Sequence, residues 1–489
     1  MILNPPNFLN FSLKILLLFC FVSVFAMESF AQSETLKKDL KKVLESELPF
    51  QKRVANLKSL LLKYEGKDKS TIYQLLGQFM EQVDSTETIK NYEAALALEP
   101  EDPRISFQLG SYLLLLSDQG KHQKALKLLR SAEDKVKTLN PRDELLEGYI
   151  ADGLGWAFAL NGNLDLAEEK LKSSIKIFEK YSLPTVSPIS HLLETYALGN
   201  NYEEAFDLIL GLYAETKGLS PQIRQDLKVA YKGFNNGNLE GFDRRVAEGL
   251  KAAEEDYKLV VEQNGGEIIS FETNDYHKIE GILYKAKVPN SPVVVFVHPF
   301  GDSQKSLTSV AKSFVKAGIN VFTLDLRGHG RSVSKQIPVP DALQAPANSV
   351  DFHNITFDIK KAISVLKKIQ GIDASRIAVI GIDEGASIGR IATKFKDEVK
   401  AFVLISPLQT YRYSDLRKAI KLAKTPKPTL FVTSNVDSES LDLVDELIEI
   451  SDKSLTEKNV FDSPQVGIRL LKSEKVVSDF VINWVKSKL

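Results

Sequence analysis

The stretch Ile377-Ala378-Val379-Ile380-Gly381-Ile382-Asp383-Glu384-Gly385 decides how the second half of this chain is read. Its first four residues are apolar and mostly β-branched, which predicts a buried strand from Ile377 to Ile380. Gly381 and Gly385 bracket a tight turn, and the residues from Ala386 to Phe395 predict a helix after it. At the centre of the turn stands Asp383, with Glu384 beside it, so the side chains offered there are carboxylates. All six histidines lie at or before His353, so no imidazole follows this turn in the chain.

Outward from the turn, strands rich in Ile, Val and Phe alternate with amphipathic helices. They begin just after Asn264-Gly265-Gly266. Ile268 to Thr273 and Ile279 to Lys285, separated by Asn274-Asp275-Tyr276, predict an opening hairpin. Val293 to Val297, Val321 to Asp325, Phe402 to Ser406, Thr429 to Thr433 and a short Val460-Phe461 predict further strands. Helices are expected at Ser306 to Lys316, Phe357 to Lys368 and Lys475 to Lys488. This alternation predicts an α/β domain over 263–489, with a doubly wound, mostly parallel sheet covered on both faces.

Four stretches of that domain resemble the α/β-hydrolase fold, in the branch of dienelactone hydrolases, serine esterases and related peptidases. Val295-Phe-Val-His298-Pro-Phe300-Gly301 looks like the strand and oxyanion loop. Asp325-Leu-Arg327-Gly-His329-Gly-Arg331-Ser332 looks like the arginine-glycine-histidine-glycine turn. Asp358 to Leu366, leading through Asp373-Ala-Ser-Arg376 to Gly381, is similar to the helix and strand before the nucleophile turn. Pro428 to Asp437 looks like the strand that delivers the acid of a catalytic triad.

Carried over residue by residue, the resemblance places the nucleophile at Asp383 and the acid at Asp437. The histidine position falls within Ser463-Pro464-Gln465-Val466-Gly467, at Val466. His298, Phe300, Gly301, His329 and Glu384 become oxyanion-loop and pocket residues, and His353, in the long loop from Gln336 to Asn354, is the candidate for a displaced base. A serine nucleophile acts only when a base takes its proton and later returns it to the leaving group. Aspartate needs no such base, but its attack on an ester forms an anhydride whose carboxylate leaves more readily than the alkoxide. Aspartate does attack saturated carbon in haloalkane dehalogenases and epoxide hydrolases, where a histidine still activates the water. Gly385-Ala-Ser387-Ile-Gly389 matches a glycine-x-serine-x-glycine pattern, yet Ser387 falls one helical turn past the strand end and reads as an ordinary helix residue.

Residues 32–262 carry apolar side chains at three- and four-residue spacing and predict an all-α region. Leu154-Gly155, Phe158, Gly162, Leu164, Ala167 and Leu171 resemble a tetratricopeptide unit, with small residues where paired helices touch. Leu109-Gly110 with Ala125 and Ala132, and the run from Tyr92 to Pro100, fit neighbouring units; Tyr202-Glu-Glu-Ala205 and Ala230 with Gly237 suggest degenerate copies. A solenoid of this kind implies a groove for a protein or peptide partner.

Lys14, the lipophilic run Ile15 to Ala26 and the small residues Ser29 and Ala31 predict a secretory signal peptide over 1–31. The run is shorter than the ~20 residues of a membrane span, so no stable span is expected after cleavage, and the mature chain is expected to be exported, periplasmic or extracellular in a bacterium. The single cysteine, Cys20, lies in that run, so no disulfide is expected in the mature chain. With 63 Lys and Arg against 64 Asp and Glu, no basic field points to nucleic acid. No metal-ligand spacing or cofactor motif occurs, and no cofactor is expected. The reading is a hydrolase-fold protein with a degenerate catalytic site that works by binding a protein through its repeats and a small molecule in its pocket. The alternative is an active hydrolase using Asp383, Asp437 and a displaced histidine.

Overall fold

A computed structural model describes residues 33–44, 48–140, 142–181, 183–333, 354–393, 397–408, 410–411, 414–421 and 426–489. The expected signal segment, Cys20 and His353 lie outside the described residues. No helix among the described residues is long and apolar enough to cross a membrane. The chain divides into two compact units, 1–205 and 206–489.

The first unit is helical. Its helices are α1 (Glu34–Leu44), α2 (Phe50–Leu60), α3 (Gly66–Met80), α4 (Ser85–Leu98), α5 (Pro103–Leu114), α6 (Gln119–Val136), α7 (Glu144–Leu160), α8 (Leu164–Lys180) and α9 (Val186–Gly199). Aspartates start several of them: Asp84 accepts from the backbone N–H groups of Thr86 and Glu87, and Asp102 caps a helix with Pro103 in its first turn. Neighbouring helices pair as α3 with α4, α5 with α6 and α7 with α8. The small residues lie where the pairs close. A Cβ on Gly155 would stand 2.5 Å from Leu171 Cγ, and one on Gly110 would stand 2.8 Å from Leu129 Cγ. One buried carboxylate interrupts the apolar core: Asp152 accepts from Ser187 Oγ at 2.5 Å and contacts His191 Nδ1 at 2.8 Å, and the His191 ring stacks on Trp156.

The second unit opens with helices and continues into the sheet. Helix α10 (Tyr202–Glu215) crosses the division, and α11 (Pro221–Phe234) and α12 (Phe242–Gln263) follow. Residues 206–262, expected to be helical, are helical and lie in the same compact unit as the sheet. Side chains give the reason. Val261 of α12 is buried in the core on one sheet face, with Tyr257 packed against it. The buried Glu280 accepts from Tyr257 Oη at 2.9 Å, from Lys217 Nζ at 3.1 Å and from Arg331 Nε at 3.4 Å, while Arg331 also pairs with Glu254.

The strands are β1 (Gly266–Glu272), β2 (Lys278–Tyr284), β3 (Ser291–Val297), β4 (Asn320–Leu324), β5 (Ile372–Ile382), β6 (Val399–Ile405), β7 (Thr410–Tyr411), β8 (Ser414–Asp415), β9 (Thr429–Ser434) and β10 (Thr456–Phe461). Eight of them form one sheet in the order β1-β2-β4-β3-β5-β6-β9-β10. β2 runs antiparallel to β1 and β4, and the pairs from β4 to β10 are parallel. Alternate side chains serve opposite faces. Val293, Val295 and Val297 join one core with Ile359, Ile363 and Leu447, and Val294 and Phe296 join the other with Phe314, Val481 and Trp484. The covering helices are α13 (Thr308–Lys316), α14 (Thr356–Leu366), α15 (Glu384–Thr393), α16 (Leu416–Lys421), α17 (Ser438–Glu449), α18 (Gly467–Ser473) and α19 (Lys475–Lys488). β10 is longer than the expected Val460-Phe461 because its first residues, Thr456-Glu-Lys-Asn459, are polar: an edge strand pairs on one side only and needs no apolar signal.

Arg327 is wholly buried and pins the turn after β4. Its Nε and Nη2 donate to Asp358 Oδ1 at 2.9 and 2.7 Å, its Nη1 donates to Asp275 Oδ2 at 2.7 Å, and its backbone N–H donates to Asp358 Oδ2 at 2.9 Å. Removing the guanidinium leaves the Asp358 carboxyl in the core with a backbone N–H but no cation to offset its burial. Arg327→Ala is expected to lower stability by about 3–5 kcal/mol in chemical denaturation of the full chain.

Candidate functional site

The turn at Asp383 is built by close approach. Asp383 adopts φ +50°, a left-handed conformation that aspartate tolerates better than most residues, at a cost of about 1–3 kcal/mol. Its N–H donates to Ile405 O at 3.0 Å, and its carbonyl accepts from Ala386 N–H at 3.1 Å. A Cβ on Gly385 would lie 2.4 Å from Val297 O, and one on Gly381 would lie 2.4 Å from Ala386 Cα. Only glycine at both places lets helix α15 start against the end of β3.

That approach carries Glu384 to the loop after β3. Its Oε2 accepts the backbone N–H of Phe300 at 3.2 Å, a donor in the loop that resembles the oxyanion loop. The ring of Phe300 meets His329 edge-on, with centroids 4.6 Å apart, and Gly301 turns the loop at φ +83°. His298 is buried, contacts Pro299 O through Nδ1 at 2.6 Å and accepts Leu326 N–H on Nε2 at 3.0 Å. Burial pushes His298 down to about 4, so it stays neutral and holds backbone. His329 Nδ1 lies 3.0 Å from Arg327 O, within the same turn.

Asp437 acts as a helix cap. It accepts Ser440 N–H on Oδ1 at 3.2 Å at the start of α17, and Thr433 Oγ1 donates to Oδ2 at 3.3 Å. Val466 stands just before α18 and is half-buried, but the residue lying against Asp383 is its neighbour Gly467. A Cβ on Gly467 would be 2.5 Å from Asp383 Oδ2, and Gly467 has φ +55°. Its N–H donates to Ser406 Oγ at 2.9 Å. Ser387 is buried inside α15 and donates to Leu408 O at 2.7 Å.

Burial pushes the Asp383 carboxyl well above the ordinary carboxylate range. The charges of Glu384, Asp437 and Asp302 add to the rise, and Arg469 opposes it. Burial also raises Asp302, which faces Lys472. Asp302 and Arg469 carry no motif, and only the fold shows that they share the field at Asp383; Gly467 was visible in sequence only as the neighbour of the expected histidine position. Among the described residues the Asp383 carboxyl hydrogen-bonds to no imidazole, and no group of three or more His, Cys, Asp or Glu is arranged to hold a metal ion. The arrangement gives a carboxyl biased toward its neutral acid, beside a carboxylate that already occupies a backbone donor.

Two outcomes follow from this geometry. A carboxyl whose folded pKa is raised contributes stability that is present at low pH and lost as pH rises through the folded pKa. Asp383→Asn is therefore expected to gain stability relative to wild type as pH climbs above the ordinary carboxylate range, read by chemical denaturation at stepped pH. Gly467→Ala is expected to cost about 1–3 kcal/mol, and less in an Asp383→Gly background, where the clashing carboxylate is gone.

Comparison with known proteins places the second unit. The family model described as serine aminopeptidase, S33 matches residues 289–466. Three solved structures are similar in fold. DcsB in complex with its substrate analogue has 15% identity over 46% of this chain and 99% of that chain, with TM-score 0.39. An esterase from Pyrococcus furiosus has 18% identity over 46% of this chain and 89% of that one, with TM-score 0.37. The dienelactone hydrolase from Anabaena variabilis has 15% identity over 46% and 98%, with TM-score 0.37. No curated protein matches the chain. With the serine aminopeptidase S33 match lying on the mostly parallel eight-stranded sheet, the second unit is an α/β-hydrolase-fold domain.

Proposed function

We propose that this hydrolase-fold domain is non-catalytic and that the chain works by binding. The helical hairpins of the first unit, in a tetratricopeptide-like arrangement, take a protein or peptide, and the turn at Asp383 contacts a small ligand. The chain is exported through the segment ending at Ala31.

The observation that carries the reading is the hydrogen bond from Phe300 N–H to Glu384 Oε2. Acyl transfer needs that donor free for the developing oxyanion, and losing one such donor costs about 10²- to 10³-fold in rate. Here the donor is taken by a carboxylate, and any oxyanion formed at the turn would meet a second negative charge. Gly467 supports the same conclusion, since it gives Asp383 a neighbour with no base to offer.

The test is turnover of an aryl acetate and of a short haloalkane by the full chain and by Asp383→Ala. Equal rates at the buffer background are expected for both proteins. Turnover by wild type that disappears in Asp383→Ala would overturn the non-catalytic reading.

A further inference from the structure

A cavity of about 200 Å³ lies at the opposite end of the sheet from Asp383. Lys427, Thr429 and Thr456 line it at the N-terminal ends of β9 and β10, whereas Asp383 follows the C-terminal end of β5. Arg390, near the end of α15, forms its inner wall, and Lys421 and Asp452 reach it from the surface.

Arg390 is the anomaly. It is 4% exposed, and its guanidinium makes no hydrogen bond or ion pair with any described residue. Its one recorded partner is the face of Phe402, 4.4 Å from guanidinium carbon to ring centroid. An arginine cannot escape burial by losing its proton under ordinary conditions, so an unpaired guanidinium in a core is costly. A desolvated cation over an aromatic ring recovers only part of the cost of stripping a cation of water. Lys427 adds to the field: it is half-buried, donates to Val399 O, and is pushed down by burial, with Lys400 and Arg390 contributing and Asp397 and Glu398 opposing. Asp452 is exposed and accepts the N–H and hydroxyl of Ser454, at 3.0 and 2.6 Å, which turns its charge toward its own loop.

Three cations and one carboxylate line the cavity, and Asp397 and Glu398 also act on Lys427. We propose that the cavity is a binding site for a phosphate-class dianion, either inorganic phosphate or the phosphoryl group of a monoester. Arg390 offers a planar fork suited to two phosphate oxygens, and Lys427 and Lys421 supply point charges at the side and the mouth. At ~30 Å³ for each liquid water, the volume accommodates a tetrahedral oxyanion with part of its hydration. The site is independent of the chemistry at Asp383 and does not depend on whether that turn is catalytic.

Calorimetric titration of inorganic phosphate into the full chain tests this, at ionic strength held constant with chloride, with a parallel acetate titration. Saturable binding of one phosphate per chain is expected, weakened at least tenfold in Arg390→Met and in Lys427→Met, with acetate binding much weaker. Circular dichroism checks each variant, and if Arg390→Met does not fold, Lys427→Met alone decides. Phosphate binding that is absent in wild type, unchanged in a folded variant, or matched by acetate would overturn the proposal.

Discussion

The contact between the start of α15 and the exit of β3 organises the whole Asp383 end of the sheet. Gly385 lies so near the carbonyls of Val297 and His298 that any side chain there would force the two elements apart. From this approach follow the left-handed conformation of Asp383, the placement of Glu384 on the Phe300 N–H, and the burial of His298 beneath the loop. The backbone of the turn is thus fixed by this close approach. Its side chains set the electrostatic content.

That content is an excess of carboxyl groups in a confined space. Asp383, Glu384, Asp302 and Asp437 share one field, opposed by Arg469 and Lys472. Like charges at short range cannot all ionise freely, and burial together with these charges pushes the Asp383 carboxyl up toward its neutral form. Two neighbours are occupied elsewhere: Glu384 accepts a backbone N–H, and Asp437 caps a helix. An acidic turn, a capped acid and a glycine facing the nucleophile position form a consistent set, which is why the binding reading rests on several residues.

Charge also explains where the second unit begins. Arg331 comes from the same turn as Arg327, yet it reaches outward to Glu254 of α12 and shares Glu280 with Lys217 and Tyr257. These groups are partly removed from water, and a carboxylate such as Glu280 is tolerable there only because three donors meet it. The helices from Phe206 onward are therefore part of the hydrolase-fold unit. Helical periodicity gives no hint of this, since a helix that packs on a sheet and one that packs on another helix have the same spacing.

The sequence by itself determined the alternation of strands and helices after Gly266, the central strands from Val293 to Ile405, the turn at Asp383, and the helical character of the first half. These are local properties: period-2 and period-3.6 patterns and the glycines that a tight turn requires. It also placed Ser387 inside a helix rather than at the turn. Tertiary structure alone decided that Glu384 would occupy the Phe300 donor, that Asp437 would cap α17, that Gly467 rather than Val466 would face Asp383, and that Arg390 would be buried with its Nε unpaired among the described residues. Each depends on residues distant in the chain meeting within a few ångströms. Which partner a carboxylate or guanidinium finds there is set by packing, and linear spacing does not encode it.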